Sequence, residues 1–150
     1  MANSLMEKLM KLDRDKLLEI PTEKIKAKRL SEVMGEDIEI TLKALSGSVY
    51  TEIMTSAATK GGGIDASKVY DAHALVVVKG CMEPNLKDKE LMAYHKVASP
   101  KDLAKILFPG GELVNISEKI GELSGFGKKE DKDNKDVVND GIDYEDIKNS

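Results

Sequence analysis

Three side chains of the types that bind metals or act as nucleophiles stand in the middle of the sequence: His73, Cys81 and His95. Structural zinc sites use paired ligands at short spacings, and these three residues are too widely separated for that pattern. The spacing therefore predicts no metal site. His73 follows Ala72 on a mostly apolar helical segment, which favours a partly buried histidine with a hydrogen-bond partner. Cys81 is the only cysteine, and we expect it to pack as a small hydrophobe.

Three segments contain residue types that occur in known binding motifs, but none of the three segments matches its motif. Lys60-Gly61-Gly62-Gly63 lacks the Gly-Lys-Ser/Thr order and the preceding strand of a P-loop, which favours a flexible turn between helices. A calcium loop starting at Asp131 would place Lys135 and Ile142 at ligand positions, so the EF-hand pattern fails. The helix after Pro109-Gly110-Gly111 is more acidic than basic, which favours packing over DNA binding.

No catalytic, cofactor-binding or metal-binding residue is therefore assigned, and no cofactor is expected. A small enzyme that uses Cys81 or His73 stays open as an alternative, although the sequence identifies no neighbour that would activate either side chain.

The composition limits the classes of protein that this chain can represent. With 150 residues, 41% of them hydrophobic and 33% charged, one ordinary globular domain is expected. The longest apolar run, residues 74–78, is far shorter than the roughly 20 residues that cross a bilayer. Charged residues interrupt the leucines of residues 5–12, so we expect no secretion signal. We expect a cytoplasmic protein without a membrane partner, and the net charge of −4 argues against a nucleic-acid partner.

The hydrophobic periodicity predicts a mainly α-helical body over residues 1–127 with one β-hairpin at about residues 23–45. Leucines at helical spacing predict a first helix, which Asn3 or Ser4 caps. Two runs of alternating apolar and polar residues on either side of Gly35-Glu36-Asp37 predict the hairpin. Because a lone hairpin is marginally stable in water, its apolar face is expected to lie on helices.

Five further helices are predicted between residues 46 and 123. Their starts are marked by Ser46 or Ser48, by Asp65, by the segment after Leu86, by Ser99-Pro100-Lys101-Asp102, and by Glu112. The helix after Asp65 is apolar on nearly all sides towards its end, so we place it at the centre of the core. The helix after Ser99 is expected to bury Leu103, Ile106 and Leu107.

The end of the chain differs in composition from the body. Residues 128–150 contain five Lys against eight Asp and Glu, a net charge of −3. Residues 128–136 contain no apolar side chain. We therefore predict a flexible acidic tail over residues 128–150. Ile142, Tyr144 and Ile147 near its end are apolar enough to form a short binding segment.

Residues 84–126 carry an ordered set of short motifs. They are Pro84-Asn85-Leu86-Lys87-Asp88, Glu90-Leu91 with Tyr94, Leu103 to Leu107, Pro109-Gly110 with Glu112, and Ile120-Gly121-Glu122-Leu123-Ser124-Gly125-Phe126. In order and spacing this set resembles the C-terminal half of the XkdN-like phage tail assembly chaperones. The hairpin and helices of residues 23–80 are compatible with the N-terminal half of that family. One departure is the extra Gly111 before Glu112, where the family pattern is Pro-Gly-Glu.

The resemblance implies a non-enzymatic chaperone of phage tail morphogenesis. Its implied partners are the long helical tape-measure protein, which it coats, and tail-tube subunits, which it recruits; self-association is an open alternative. Methionines are candidates to line an apolar groove for partner helices. They are Met6, Met10, Met34, Met54, Met82 and Met92. The alternative function is a small structural or adaptor protein that stays in the phage tail or tail-like particle.

Overall fold

The computed structural model describes residues 4–126, and most of these residues are helical. The helices are α1 (Leu5–Lys11), α2 (Arg14–Leu17), α3 (Lys28–Met34), α4 (Gly47–Thr55), α5 (Ala66–Gly80), α6 (Lys89–Tyr94), α7 (Pro100–Leu107) and α8 (Gly111–Gly121). The strands are β1 (Thr22–Lys26), β2 (Glu39–Lys43) and β3 (Cys81–Glu83). A wide helical turn over Glu122–Phe126 follows α8. The predicted tail, residues 128–150, lies outside the described residues. The segment from Asp131 that was compared with the EF-hand pattern lies there too.

The sheet corrects the hairpin predicted at about residues 23–45. β1 and β2 pair in the antiparallel sense, as predicted. They are not joined by a tight turn, because α3 lies between them and ends at Gly35, whose φ of 74° suits a helix C-terminus. β3 pairs with the other side of β2, so the strand order is β1-β2-β3. The fold therefore contains a small three-stranded antiparallel sheet instead of a lone hairpin.

Both differences from the prediction have local causes. Leu30, Val33 and Met34 have helical spacing, but they lie between two runs with the stronger alternation of strands. β3 directly follows the apolar end of α5, and three residues are too few for alternation to appear. The third strand is therefore visible only through its pairing with β2.

Helix α5 lies at the centre of the core, as its apolar circumference predicted. It packs against α4, α7 and α8. Its buried residues are Ala72, Ala74, Val76, Val77, Val78 and Gly80. A Cβ atom added at Gly80 would lie 2.6 Å from Ile120 Cδ1, so the missing side chain permits the close approach of α5 and α8. Ile40 and Leu42 of β2 belong to the same buried cluster, which confirms that the sheet packs on the helices.

Helix starts agree with the predicted caps at Ser46, Asp65 and Ser99, whereas the cap at Asp88 was not predicted. The side chains of Ser46, Asp65, Asp88 and Ser99 accept hydrogen bonds from backbone N–H groups at the starts of α4, α5, α6 and α7. One expectation for α7 is wrong, because Ile106 is 50% exposed. The helix instead buries Leu103 and Ala104, which turns Ile106 outward, and the fully buried Phe108 follows the helix. None of the helices in residues 4–126 is long and apolar enough to cross a membrane.

Candidate protein-binding site

Residues 4–20 form an N-terminal arm in which every residue is exposed. α1 begins with a capping box: Ser4 Oγ accepts from the Glu7 N–H at 3.2 Å, and the Ser4 N–H donates to Glu7 Oε1 at 3.3 Å. Asp13 is the N-cap residue of α2, and its carboxylate accepts from the Asp15 N–H at 3.1 Å. The prediction of a first helix capped by Ser4 is confirmed. The hydrogen bonds of the arm are local, and no burial accompanies them.

The arm exposes large apolar side chains along its whole length. They are Leu5, Met6, Leu9, Met10, Leu12, Leu17, Leu18 and Ile20, with exposed fractions between 41% and 79%. At 100° per residue, the four that belong to α1 span an arc of about 140°, and the charged side chains of that helix lie opposite. A helix of two turns is marginal in water when it stands alone. The apolar stripe of α1 is therefore a candidate surface for a partner that would cover it.

A second surface feature, the α6 cleft, opens between the end of β3 and helix α6. It is lined by Glu83, Pro84, Asn85, Asp88, Glu90, Leu91 and Tyr94 and has a volume of about 570 Å³. Leu86, in the same segment, is fully buried in the core. The Tyr94 side chain is 79% exposed and contacts the ring of His95 edge-on, with 5.0 Å between the ring centroids. This segment is thus anchored in the core and presents an aromatic ring to solvent.

His73 is half-buried between α5 and α8, as the sequence predicted. Its Nδ1 lies 2.7 Å from Ser117 Oγ in a hydrogen bond. Burial lowers the pKa of His73, and the nearby Glu118 carboxylate opposes that shift in part. Ser117 is fully buried, so its hydroxyl is closed to a substrate even though a histidine is its partner. The pair joins two core helices.

Cys81 and His95 lie apart from any metal-binding arrangement in the described part of the chain. Cys81 begins β3 and is buried, which confirms that it packs as a small hydrophobe. Burial raises the pKa of its thiol to about 12, so the thiolate is scarce at neutral pH. His95 is exposed at the end of α6. Within residues 4–126, no group of three or more His, Cys, Asp or Glu side chains is placed to hold a metal ion.

The glycine-rich segment 60–63 is a turn between α4 and α5, as predicted. Thr59 Oγ1 accepts from the Gly63 N–H at 3.0 Å, and Gly62 has a φ of 91° that suits glycine. The packing interpretation of α8 is also confirmed. Its apolar face, formed by Leu113, Ile116 and Ile120, is buried in the core.

Glu112 has a role that the sequence did not predict. Its carboxylate accepts from the Lys28 N–H at 2.7 Å and from the Arg29 N–H at 3.3 Å. It thereby caps α3, whose N-cap residue, Ala27, provides no side-chain hydrogen bond. The extra Gly111 is the first residue of α8, so Glu112 lies in the first turn of that helix. Because the donors and the acceptor are more than 80 residues apart in the sequence, no local signal announces this contact.

The motif at the end of α8 also has a structural role. Ser124 Oγ accepts from the Leu45 N–H at 2.8 Å and donates to the Ile120 carbonyl at 2.7 Å. The rings of Tyr50 and Phe126 stack with 4.5 Å between their centroids. These contacts join the end of the described chain to the end of β2 and the start of α4.

The six methionines suggested for a groove are spread over five elements. Met6 and Met10 lie on α1, Met34 on α3, Met54 on α4, Met82 on β3 and Met92 on α6. Met54 and Met92 pack against the core, whereas the other four are exposed. Only the two on α1 belong to the apolar stripe of the arm.

Comparison with known proteins identifies the class to which this fold and these surfaces belong. The family model described as phage XkdN-like tail assembly chaperone protein matches residues 6–140. The chain therefore belongs to the XkdN-like phage tail assembly chaperone family, which confirms the resemblance seen in the sequence. The family is named for an assembly role and not for a reaction.

Particular relatives come from Bacillus subtilis (strain 168). The uncharacterized protein YqbN is 30% identical over 109 residues, which cover 67% of this chain and 71% of YqbN. The phage-like element PBSX protein XkdN is 29% identical over 119 residues, which cover 71% of this chain and 78% of XkdN. The crystal structure of YqbN is similar with a TM-score of 0.51 and 27% identity, covering 72% of this chain and 89% of that one.

Proposed function

We propose that this protein binds the tape-measure protein during phage tail assembly, keeps it soluble and helps to recruit tail-tube subunits. Membership of the tail assembly chaperone family supports the general role. The observation that carries the binding proposal is the N-terminal arm, in which a stripe of large apolar side chains has no covering within residues 4–126. A client that covers this stripe removes apolar surface of both proteins from water.

The shape of the stripe suits a helical client. An amphipathic helix pairs with another by burying the two apolar arcs against each other, with charged side chains at the rim. Met6 and Met10 supply unbranched side chains that adapt to different client side chains along a long helix. The same kind of contact can form at successive positions along a long helical client, as coating of that client requires.

The proposed role is non-enzymatic, needs no cofactor and is exercised in the bacterial cytoplasm while tails assemble. Two features of the structure support the first part. The Cys81 thiol is buried with a raised pKa, and the Ser117 hydroxyl beside His73 is enclosed. A native protein in which Cys81 reacts rapidly with a thiol reagent would revive the enzyme alternative.

The test is co-expression with a phage tape-measure protein, with the soluble amount of that client as the readout. The arm variant is Met6→Glu with Leu9→Glu, which places charges in the apolar stripe without touching the core. The matched control is Val33→Glu on α3, whose side chain is 64% exposed outside the arm. We expect the control to keep the client soluble and the arm variant to lose most of that effect. Equal client solubility with and without the wild-type chain would end the chaperone proposal.

A salt wash separates an apolar contact from a charged one. Burial of apolar surface is not screened by ions, so the purified complex should survive raised salt. Loss of the complex at high salt would mean that charges, and not the stripe, hold the client. Mass spectrometry of finished particles tests the alternative of a structural adaptor, since a chaperone should be depleted and an adaptor stoichiometric.

A further inference from the structure

We propose that residues 141–146, close to the end of this chain, add as a further strand to the free edge of β1 in the same molecule. The segment is Gly141-Ile142-Asp143-Tyr144-Glu145-Asp146, and it lies beyond the residues that the structure describes. The open edge of β1, the cleft beside it and the charges around it suit such a strand. The contact is independent of the proposed client binding, because the N-terminal arm takes no part in it.

β1 is an edge strand that pairs with β2 on one side. The Ala27 N–H donates to the Ile38 carbonyl at 2.8 Å, and the Pro21 carbonyl accepts from the Ala44 N–H at 2.9 Å. The odd-numbered positions therefore point their backbone groups towards β2, and because this direction alternates along a strand, the even-numbered positions point away. The outward backbone groups belong to Thr22, Lys24 and Lys26. Within residues 4–126 no other segment bonds to them, and such an edge accepts an extended peptide.

Helix α8 lies under the core face of β1. Glu23 and Ile25 stand on that face, because their register partners on β2 are buried in the core. Lys119 of α8 pairs with Glu23 at 3.2 Å. Between the two elements opens a cleft of about 440 Å³, the β1–α8 cleft, whose lining includes Ile25 and Ile116. A strand added to the edge of β1 would cover this cleft with the side chains of one of its faces.

The side chains of the segment alternate as this position requires. In an extended strand Ile142 and Tyr144 stand on one face, and Asp143 and Glu145 stand on the other. When the apolar pair turns to the β1–α8 cleft, both carboxylates lie on the outer face of the sheet. A slip by one residue would instead turn the carboxylates towards the cleft, so the two faces of the added strand are not interchangeable.

The outer face of β1 is basic and complements these carboxylates. Lys24 and Lys26 are exposed on it, and Lys28 follows the strand. Among the residues that the structure describes, Lys24 and Lys28 have no ion pair, and Lys26 has an exposed pair with Asp37 at 3.2 Å. Lysines on an edge disfavour pairing with the same edge of another copy. They favour an acidic strand, because opposite charges on neighbouring strands attract.

The chain leaves the described fold close to this edge. Ser124 Oγ accepts from the Leu45 N–H at 2.8 Å, and the neighbouring Ala44 bonds to Pro21 directly before β1. The 14 residues 127–140 span up to about 46 Å when fully extended. Because β1 is about 17 Å long, the segment of the same molecule can reach either end of the strand.

The added strand would protect the sheet from unspecific pairing. An open strand edge is a template on which other extended chains can pair. A strand that the chain itself supplies closes this edge and leaves the N-terminal arm, which precedes β1, available to a client.

Amide hydrogen exchange of the isotope-labelled full chain, read by NMR, tests the contact. The tail variant is Ile142→Asp with Tyr144→Asp, which removes the apolar face of the segment. We expect the N–H groups of Lys24 and Lys26 to exchange about tenfold or more faster in the tail variant than in the wild type, because the hydrogen bonds of the added strand are lost.

A matched control changes the same end of the chain outside the segment. Val137→Asp with Val138→Asp introduces the same two charges and should leave the exchange of Lys24 and Lys26 as slow as in the wild type. The Ile25 N–H, which points to β2, should be equally protected in all three proteins. Unchanged exchange of the α5 amides establishes that the variants are folded.

A spin label locates the segment directly. Cys81 is buried, so a thiol label reacts at an introduced Asn149→Cys instead. We expect the label to broaden the amide signals of β1 and of the first half of α8. The signals of α6, which follows β3 at the opposite edge of the sheet, should stay sharp.

A charge swap tests the pairing of the outer faces in the labelled protein. Lys24→Glu with Lys26→Glu should abolish the broadening, and adding Asp143→Lys with Glu145→Lys should restore it. Lys68→Glu, at an exposed position on α5, is the control and should have no effect.

Three outcomes would overturn the proposal. One is exchange at Lys24 and Lys26 that is as fast in the wild type as in the tail variant. Another is broadening that lies away from β1 and α8. The third is protection that grows with protein concentration, because the strand would then come from a second copy. None of these results touches the proposed client binding, whose test depends on the arm.

Discussion

The N-terminal arm and the α5–α8 helix pair use similar side chains with opposite outcomes. α1 carries leucines and methionines at helical spacing, and none of its residues is buried. α5 and α8 carry valines, alanines and isoleucines, and they form the centre of the core. In the arm every stabilising contact is local, while the helix pair is held by contacts between residues dozens of positions apart.

Helical periodicity and burial are therefore separate properties. A stripe of apolar residues predicts a helix and a surface that must be covered, but it does not say by which molecule. α5 is apolar on most of its circumference, so it can be stable only inside the fold. α1 is short and apolar on one arc only, so its apolar stripe can stay exposed to solvent until a partner covers it.

The largest contrast is expected between Phe108→Ala and Leu9→Ala. Phe108 is fully buried, and removing its ring should cost about 3–5 kcal/mol of the free energy of unfolding. Leu9 lies in the exposed arm, and its truncation should change that free energy by less than about 0.5 kcal/mol. Urea denaturation of both variants measures the two values. A large loss at Leu9 would show that the arm packs on the body in solution.

The next effect concerns the close approach of α5 and α8. A Cβ atom at Gly80 would lie 2.6 Å from Ile120 Cδ1, so Gly80→Ala should destabilise the protein by about 1–3 kcal/mol. In an Ile120→Ala background the loss caused by Gly80→Ala should be smaller, because Cδ1, Cγ2 and Cγ1 of Ile120, the three carbons that the new Cβ would meet, are then absent. The double-mutant cycle gives the coupling directly. Strictly additive losses would mean that the helices do not meet at this point.

Two helix caps compare the regions at a smaller scale. Glu112 caps α3 from the core helix α8, whereas Glu7 completes the capping box of α1 in the arm. Glu112→Ala should lower the free energy of unfolding by about 1 kcal/mol. Glu7→Ala should leave it unchanged, since unfolding of the arm is not coupled to the core. The same denaturation experiment measures both, and equal losses would contradict the separation of arm and core.

The smallest effect is a pH dependence from His73. Its pKa is lowered in the folded state by burial, so the unfolded state takes up a proton first as the pH falls below the ordinary histidine range. Stability should therefore decrease as the pH drops from about 6.5 towards the lower folded-state pKa, and level off below it. His73→Gln should flatten this part of the profile, and His95→Gln, in an exposed position, should not. A profile unchanged by His73→Gln would mean that its burial is not maintained in solution.

Much of the secondary structure could be predicted from the residues alone. Ser4, Ser46, Asp65 and Ser99 each bond to a backbone group within three residues, so the positions of these helix starts are encoded locally. The burial of α5 was also predictable, because a helix that is apolar nearly all round has no alternative in water. The candidate surface was foreseen only in part, since two of the six suggested methionines lie on the exposed stripe of α1.

Contacts between distant segments could not be predicted from local patterns. The pairing of β3 with β2, the cap that Glu112 provides to α3, and the hydrogen bond between His73 and Ser117 each join residues about 40 or more positions apart. Helix starts and apolar faces, in contrast, are encoded locally, because they depend on neighbours within one or two turns. The packing of the whole fold decides which apolar faces are covered, and local patterns do not encode that packing. The apolar stripe of the arm is a face that this packing leaves uncovered.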